Sequence, residues 1–299
     1  MLTKIHPPVS SRNECPACGG DDASAVYRYE TKDGDACIFR CSRCTCRFLR
    51  PLVLAEVEER KMESICDAEL YTPLYKTLHE RFLLKREERI LRRLLATGNQ
   101  RLLDVGCGTG WTTFFWASNG FDVTGLEPSQ ERSALAKSRY GFRVINGFLE
   151  DLDISEKFDV IMFRQVLEHF EEPATMLSKA IRLLADGGIV LVVVPNIDSI
   201  GRYLFDTDWK WVLPWHCTFF NPASLRAIGK RVGLLPEVLY QTPSPLCYSY
   251  GMTSRFPSSA IVRRAAAHGP GSLLLWLPVM AAGILAGHGD NLTMFFRRQ

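Results

Sequence analysis

From Arg101 onward, short apolar runs alternate with amphipathic stretches. RLLDV (101–105), FDVTGLE (121–127), FRVIN (142–146), FDVIMF (158–163) and IVLVVVP (189–195) each read as a strand. Between them, 109–119, 129–140 and 172–184 read as helices, and Asp186-Gly187-Gly188 reads as the turn into the fifth strand. Strands alternating with helices at this spacing imply parallel βαβ units in a doubly wound sheet. The near-continuous apolar character of the strands fits a sheet covered on both faces. LLPEVLY (234–240) and LTMFFRR (292–298) predict two more strands, with a cap segment of about 241–290 between them. The fold class predicted is therefore α/β, a Rossmann-like doubly wound sheet.

Upstream the pattern changes. Residues 56–98 are rich in Glu, Arg, Leu and Lys. Leu83, Leu84, Ile90, Leu91, Leu94 and Leu95 recur at helical spacing, and Gly98-Asn99 supplies a stop. Residues 1–55 are cysteine-rich with turn signals. Three regions follow: a small cysteine module (1–55), a helical connector (56–98) and a large α/β domain (99–299).

Composition narrows the picture. The chain has 299 residues, 46% hydrophobic and 23% charged, with net charge +3. That balance gives no electrostatic case for a nucleic-acid partner. The start, MLTKIHPPVSSRNE, holds no apolar run of secretory type, so a reducing cytoplasm is the expected compartment, where metal is favoured over disulfide. The apolar stretch 272–287, SLLLWLPVMAAGILAG, is short for a span and contains Pro278. It is expected to be a cap helix first, and a peripheral membrane contact second.

Two CxxC pairs, Cys15/Cys18 and Cys41/Cys44, are separated by 22 residues. Each pair aims two thiolates at one point, and two such turns complete a tetrahedron for structural zinc with no open position. Cys37 and Cys46 compete as fourth ligand.

LDVGCGTG (103–110) closes the first strand and opens a helix. Gly106, Gly108 and Gly110 allow a tight turn and close approach of a ligand, and the helix start offers free N–H groups. The spacing is GxGxG, and Trp111 stands where the nicotinamide fingerprint GxGxxG needs its third glycine. LDVGCGTG resembles the first motif of class I S-adenosylmethionine-dependent methyltransferases. Further motifs follow in that family's order: VTGLEPS around Glu127, NGFLEDLD (146–153), FDVIMFRQVLEHFEEP (158–173) and LLADGGIVLVVVPN (183–196). The resemblance implies that Asp104, Gly106, Gly108, Gly110, Glu127 and Gln165 lie on the cofactor side, with Glu127 gripping the ribose hydroxyls.

The Glu168-His169 pair resembles that of small-molecule methyltransferases, including the ExxEH of quinone O-methyltransferases, which can hold a divalent metal. Here Gln165 replaces the first Glu, which argues against a catalytic magnesium. His216 lies in WKWVLPWHCTFFNPASLRAIGKRVGL (209–234), which resembles the PxHxxxF segment of related methyltransferases. His169 and His216 are thus the candidate catalytic residues. Trp209, Trp211, Trp215, Phe219 and Phe220 are candidate lining for an acceptor, with Tyr71 and Tyr75 beside them. The cysteine module is similar to the zinc ribbon preceding the methyltransferase domain in sugar C-methyltransferases, although this chain is too short for their second large domain. The resulting expectation is methyl transfer to a small-molecule or glycan acceptor, a hydroxyl of a sugar or polysaccharide precursor foremost. An RNA methyltransferase and a non-catalytic cofactor-binding protein are the alternatives. FRQVLEH stands where an NPPY-like run would mark an amino-directed RNA enzyme.

Overall fold

The computed structural model describes residues 2–31, 34–51, 73–95, 100–209, 211–213, 215–256, 258–259 and 270–299. Tyr71, the Gly98-Asn99 stop and the 56–72 part of the connector lie outside them.

Two sheets organise the molecule. The smaller contains β1 (Leu2–Arg12), β2 (Asp22–Thr31), β3 (Gly34–Cys41) and β4 (Arg47–Arg50), joined antiparallel in sequence order. Its fifth strand, β10 (Thr218–Phe219), comes from far along the chain and pairs with β4.

The larger sheet has seven strands in the order β11-β12-β9-β8-β5-β6-β7. These are β5 (Gln100–Val105), β6 (Phe121–Glu127), β7 (Arg143–Asn146), β8 (Phe158–Arg164), β9 (Leu184–Pro195), β11 (Leu234–Thr242) and β12 (Asn291–Arg298). β5 through β9 run parallel, while β12 is antiparallel to both β9 and β11. The strand order reverses at β5, so the clefts beyond the carboxyl ends of β5 and β8 are the natural ligand position. Apolar side chains cover both faces: Leu103, Ile161, Val190 and Val192 lie in one buried cluster, and Leu102, Val160, Met162 and Leu191 in another.

The expected turn at Asp186-Gly187-Gly188 is absorbed into β9. Its pairing with β8 jumps between Phe158↔Leu184 and Val160↔Ile189, and Gly187 takes φ +73° there. A bulge carries the extra residues without ending the strand.

The connector helix α1 comprises Pro73–His79, a π-helical turn at Glu80–Leu84 and Lys85–Leu94. It buries Leu84 and Leu91 against the sheet, and Glu87 pairs there with Arg164 of β8. α2 (Trp111–Ser118) follows the glycine loop, and α3 (Gln130–Tyr140) is capped by the Ser129 hydroxyl, which accepts from Arg132 N–H. α4 (Pro173–Leu183) and α6 (Pro222–Arg231) start with proline at the first turn. Asn221 and Ser224 form a reciprocal capping box on α6.

The 241–290 segment contains α7 (Pro245–Arg255) and α8 (Pro270–Leu285), against which α5 (Ile200–Phe205) packs. α8 buries Met280 against Phe205 and Tyr248, while Leu277, Ile284 and Leu285 face outward. Among the described residues, no helix is long and apolar enough to cross a membrane.

Candidate functional site

The loop 106–110 turns over the carboxyl end of β5. Gly106 N–H and Cys107 N–H donate to the Leu126 carbonyl at 2.7 and 3.1 Å, tying the loop to β6. Glu127, buried at the end of β6, accepts from Gly108 N–H at 2.9 Å and from Ser129 N–H at 3.0 Å. Arg132 of α3 lies 3.3 Å from the same carboxylate. A Cβ on Gly106 (φ +73°) would meet Val166 Cγ2 at 2.5 Å, whereas one on Gly108 (φ +56°) would meet nothing within 4 Å. Gly110, left-handed at φ 85°, is the N-cap of α2. The open side of the loop is thus at Gly108, facing Glu127.

Asp104 reaches sideways rather than into this opening: it accepts from the Thr113 hydroxyl at 2.5 Å. Burial pushes its carboxyl up to about 7, against the lowering effect of that hydrogen bond. α1 closes the loop from above. The His79 ring lies between Tyr75 (5.8 Å) and Trp111 (5.2 Å), and desolvation, aided by Arg164, lowers it to about 3.

The second group gathers where β8 ends. Gln165 is left-handed at φ 55°, an uncommon conformation for a residue with a side chain. Its N–H donates to Val193 at 2.8 Å, and its amide Nε2 to Asn291 Oδ1 at 3.4 Å. This corner turns the chain into the short 3₁₀ helix Leu167–His169. His169 and His216 meet edge to face, ring centroids 4.7 Å apart. His169 Nδ1 sits 3.2 Å from the Trp215 carbonyl, which can only accept, so the neutral ring carries its proton on Nδ1 and keeps the Nε2 lone pair. Burial lowers His169 to about 4, against the raising effect of the Trp215 and Gln165 carbonyls. His216 is held well below the usual imidazole range, by burial and then by His169. Both are neutral at pH 7. Glu168 is 1% exposed, neither carboxyl oxygen has a protein partner, and burial raises it to about 8.

Glu168, His169 and His216 offer ligand atoms within 4.8 Å of one another. Two imidazoles and one carboxylate do not suit magnesium, which prefers oxygen ligands and retained waters. The aromatics divide. Trp209, Phe219 and Phe220 are core residues, at most 4% exposed. Trp211 stacks on His216 at 6.1 Å, and Trp215 supplies the carbonyl to His169, so these two border the pair.

In the smaller sheet the four thiols converge. Cys15 Sγ lies 3.5 Å from Cys44 Sγ, and Cys18 Sγ 3.6 Å from Cys41 Sγ. A tetrahedral zinc with bonds of about 2.3 Å places its sulfurs about 3.8 Å apart, so the cluster fits that ion. The hydrogen bond with Cys44 holds the Cys15 thiol down near 2. Cys46 is fully buried beside the cluster and bonds the Phe219 carbonyl at 3.7 Å, while Cys37 lies further along β3, opposite Arg50.

A family model described as "Methyltransferase domain" matches residues 71–237. The chain belongs to this family. Among relatives, the methyltransferase-domain chain is 30% identical over 160 residues to a "Ubiquinone biosynthesis O-methyltransferase" of Rhodopseudomonas palustris, covering 50% of itself and 63% of the relative. It is 26% identical over 169 residues to the protein of the same name in Cereibacter sphaeroides, covering 52% and 68%. The chain thus spans less than two thirds of the first relative's length. In fold it is similar to the plantazolicin methyltransferase BpumL, solved with a pentazolic desmethylPZN analog and SAH, at 17% identity and TM-score 0.52, covering 82% and 92% of the two chains. A putative sarcosine dimethylglycine methyltransferase from Galdieria sulphuraria gives TM-score 0.51 at 17% identity, covering 74% and 85%.

Sequence reasoning about this methyltransferase-domain chain missed three contributors. Arg132 is an ordinary helix residue until α3 is placed beside Glu127. His79 has no motif around it. Cys217 donates N–H to the Glu168 carbonyl at 2.9 Å and Sγ–H to the His169 carbonyl at 3.2 Å, a link between distant segments that no local pattern encodes.

Proposed function

We propose that the chain transfers the methyl group of S-adenosylmethionine to a hydroxyl oxygen of a small-molecule acceptor, with His169 and His216 as the proton-accepting pair. One observation carries this reading: two neutral, mutually touching imidazoles stand one strand over from the glycine loop, at the carboxyl edge of the sheet. The cofactor is held by the open face at Gly108, by Glu127 toward the ribose hydroxyls, and by the N-terminus of α2 toward its carboxylate. Gln165 borders it at the end of β8.

S-adenosylmethionine supplies a methyl carbon activated by its sulfonium. The acceptor oxygen bonds that carbon as the carbon–sulfur bond breaks, the electron pair stays on sulfur, and the hydroxyl proton passes to an imidazole nitrogen. Positive charge therefore moves from sulfonium to imidazolium, and no new net charge is created in the buried site. His169 receives the proton on Nε2, because Nδ1 is committed to Trp215. Glu168, adjacent and protonated at pH 7, offers the imidazolium an acceptor oxygen rather than a charge. The remaining work is orientation of the two reactants.

Trp211 and Trp215 favour a flat or ring-shaped acceptor, a sugar unit of a glycan precursor or a phenol. The relatives named for ubiquinone biosynthesis support the phenolic option. Zinc in the four-thiolate cluster is structural. The deciding assay is labelled-methyl transfer from S-adenosylmethionine to matched panels of phenols and sugar derivatives. Transfer to either panel that falls at least 100-fold in His169→Gln supports the reading. Transfer unaffected by both His169→Gln and His216→Gln overturns it.

A further inference from the structure

The cysteine module is not a separate bead on the chain: its last strand pairs with the segment that follows His216. Strand β4 pairs with β10 through Phe48↔Thr218 and Arg47↔Phe219. One residue further along, Leu49 N–H donates to the Cys217 carbonyl at 3.0 Å. Cys217 in turn donates N–H to the Glu168 carbonyl and Sγ–H to the His169 carbonyl. A continuous hydrogen-bonded path thus runs from β4 through the residue beside His216 to the turn carrying Glu168 and His169.

The other end of β4 leaves the metal cluster. Cys41 N–H donates to the Cys46 carbonyl at 2.9 Å, closing the second knuckle where β4 begins. Thr45, in that knuckle, accepts from Asn221 Nδ2 at 2.7 Å. The first knuckle is gripped by Arg231 of α6, which reaches the Cys15 and Pro16 carbonyls at 3.4 Å and the Glu14 carboxylate at 2.9 Å. Arg47 of β4 adds a bond to the Ile197 carbonyl at 3.2 Å. The polar contacts described for the module thus fall on 197–231, whereas the glycine loop and Glu127 are held by Leu126, Ser129 and Arg132.

We infer that β4 is a positioning element for the His169–His216 pair, with Leu49 N–H as the contact that acts, and that metal occupancy of the four-cysteine cluster is transmitted to this pair and not to the cofactor loop. Without the ion, four converging thiols lose the bonds that fix both knuckles, and β4 loses its anchored start. The backbone at Cys217 is then free to move, and the two rings with it. Only the cofactor-binding control in the test rests on the proposed function.

The test uses the full chain, zinc-loaded and zinc-stripped, with imidazole resonances read by histidine-selective labelling and assigned through His169→Gln and His216→Gln. Cooperative thermal unfolding and calorimetric titration with S-adenosylmethionine run in parallel. On zinc removal, the His169 and His216 signals are expected to shift or broaden, while cofactor affinity stays within about twofold. Leu49→Pro, which keeps all four thiols and deletes the single N–H, is expected to retain one zinc per chain and reproduce the histidine change. Unchanged signals in the folded zinc-free protein overturn the inference. Loss of cofactor binding in step with the signals overturns it too, since the effect would then be global. If Leu49→Pro fails to fold, the zinc-stripped native chain decides alone. Failure of the zinc-loaded native chain to bind S-adenosylmethionine refutes the proposed function instead, and the histidine comparison stands on unfolding and resonances.

Discussion

Two neighbouring glycines make opposite predictions. Both have left-handed φ, +73° at Gly106 and +56° at Gly108, so alanine at either costs about 1 kcal/mol of backbone strain. Their surroundings differ. At Gly106 the new methyl lands 2.5 Å from Val166 Cγ2, on the strained corner that precedes the histidine turn. Overpacking of that kind adds about 2 kcal/mol, for about 3 in total. At Gly108 the methyl points into open space, and the strain stands alone. Gly108→Ala is therefore expected to lower Tm by about 3 °C and Gly106→Ala by about 9 °C. The order reverses for cofactor binding. In the proposed site S-adenosylmethionine approaches the backbone in the space beside Gly108, and a methyl there displaces it at a cost of about 2 kcal/mol or more, a loss of about 30-fold in affinity. Differential scanning calorimetry and isothermal titration of each variant read the two quantities separately. If Gly108→Ala binds within threefold of the native chain, the cofactor does not lie against this loop and the site has been misplaced.

Glu127→Gln removes the charge but keeps one acceptor for the loop. In the proposed site Glu127 faces the ribose hydroxyls, so loss of its charge, about 3 kcal/mol, is expected to weaken S-adenosylmethionine about 100-fold by titration, with Tm lowered in scanning calorimetry because Arg132 loses its carboxylate partner. Arg164→Met leaves Glu87 buried without its guanidinium partner and is expected to cost about 3 kcal/mol in denaturant unfolding, whereas pairing it with Glu87→Leu recovers most of that loss. The buried carboxyl Glu168 sets a pH dependence. Held at about 8 in the folded chain against 4.5 ordinarily, it keeps a proton that the unfolded chain releases, so stability falls as pH rises from 4.5 through 8. Glu168→Gln should flatten that decline in urea titrations, and an unchanged slope would show that the carboxyl is not titrating as described. His169 acts oppositely: lowered to about 4 from 6.5, it costs stability as pH falls between those values.

The parallel core was visible in the sequence because each strand is a short apolar run bounded by turn residues, and the family's glycine loop is dense enough to place the open end of the sheet. The cysteine cluster was visible for a similar reason: both CxxC turns are local, and their convergence needs only a sheet between them. What the sequence hid depends on distant pairs. Thr218–Phe219 is too short to carry a period, so the strand that the larger domain adds to the smaller sheet leaves no trace until β4 is beside it. Phe219, Phe220 and Trp209 share the composition of a ligand-lining stretch, but their faces turn inward once 197–220 packs between the module and the cap. Polarity offered no warning at Glu168 either. Its unpartnered burial is a property of the fold around it, not of the LEH triplet in which it stands.

The placement of β12 has a consequence for how the chain is made. Asn291–Arg298 slots between β9 and β11, and Leu292, Met294, Phe295 and Phe296 are fully enclosed. During synthesis β11 emerges long before β12, its strand partner among the described residues, and β9 meanwhile presents a bare apolar edge. The gap stays open until Asn291–Arg298 has emerged, well after the family-matching span 71–237 has appeared. Deleting Asn291–Arg298 would therefore strand two sheet edges at once, and the nascent protein's exposure to edge-to-edge aggregation lasts until that strand inserts.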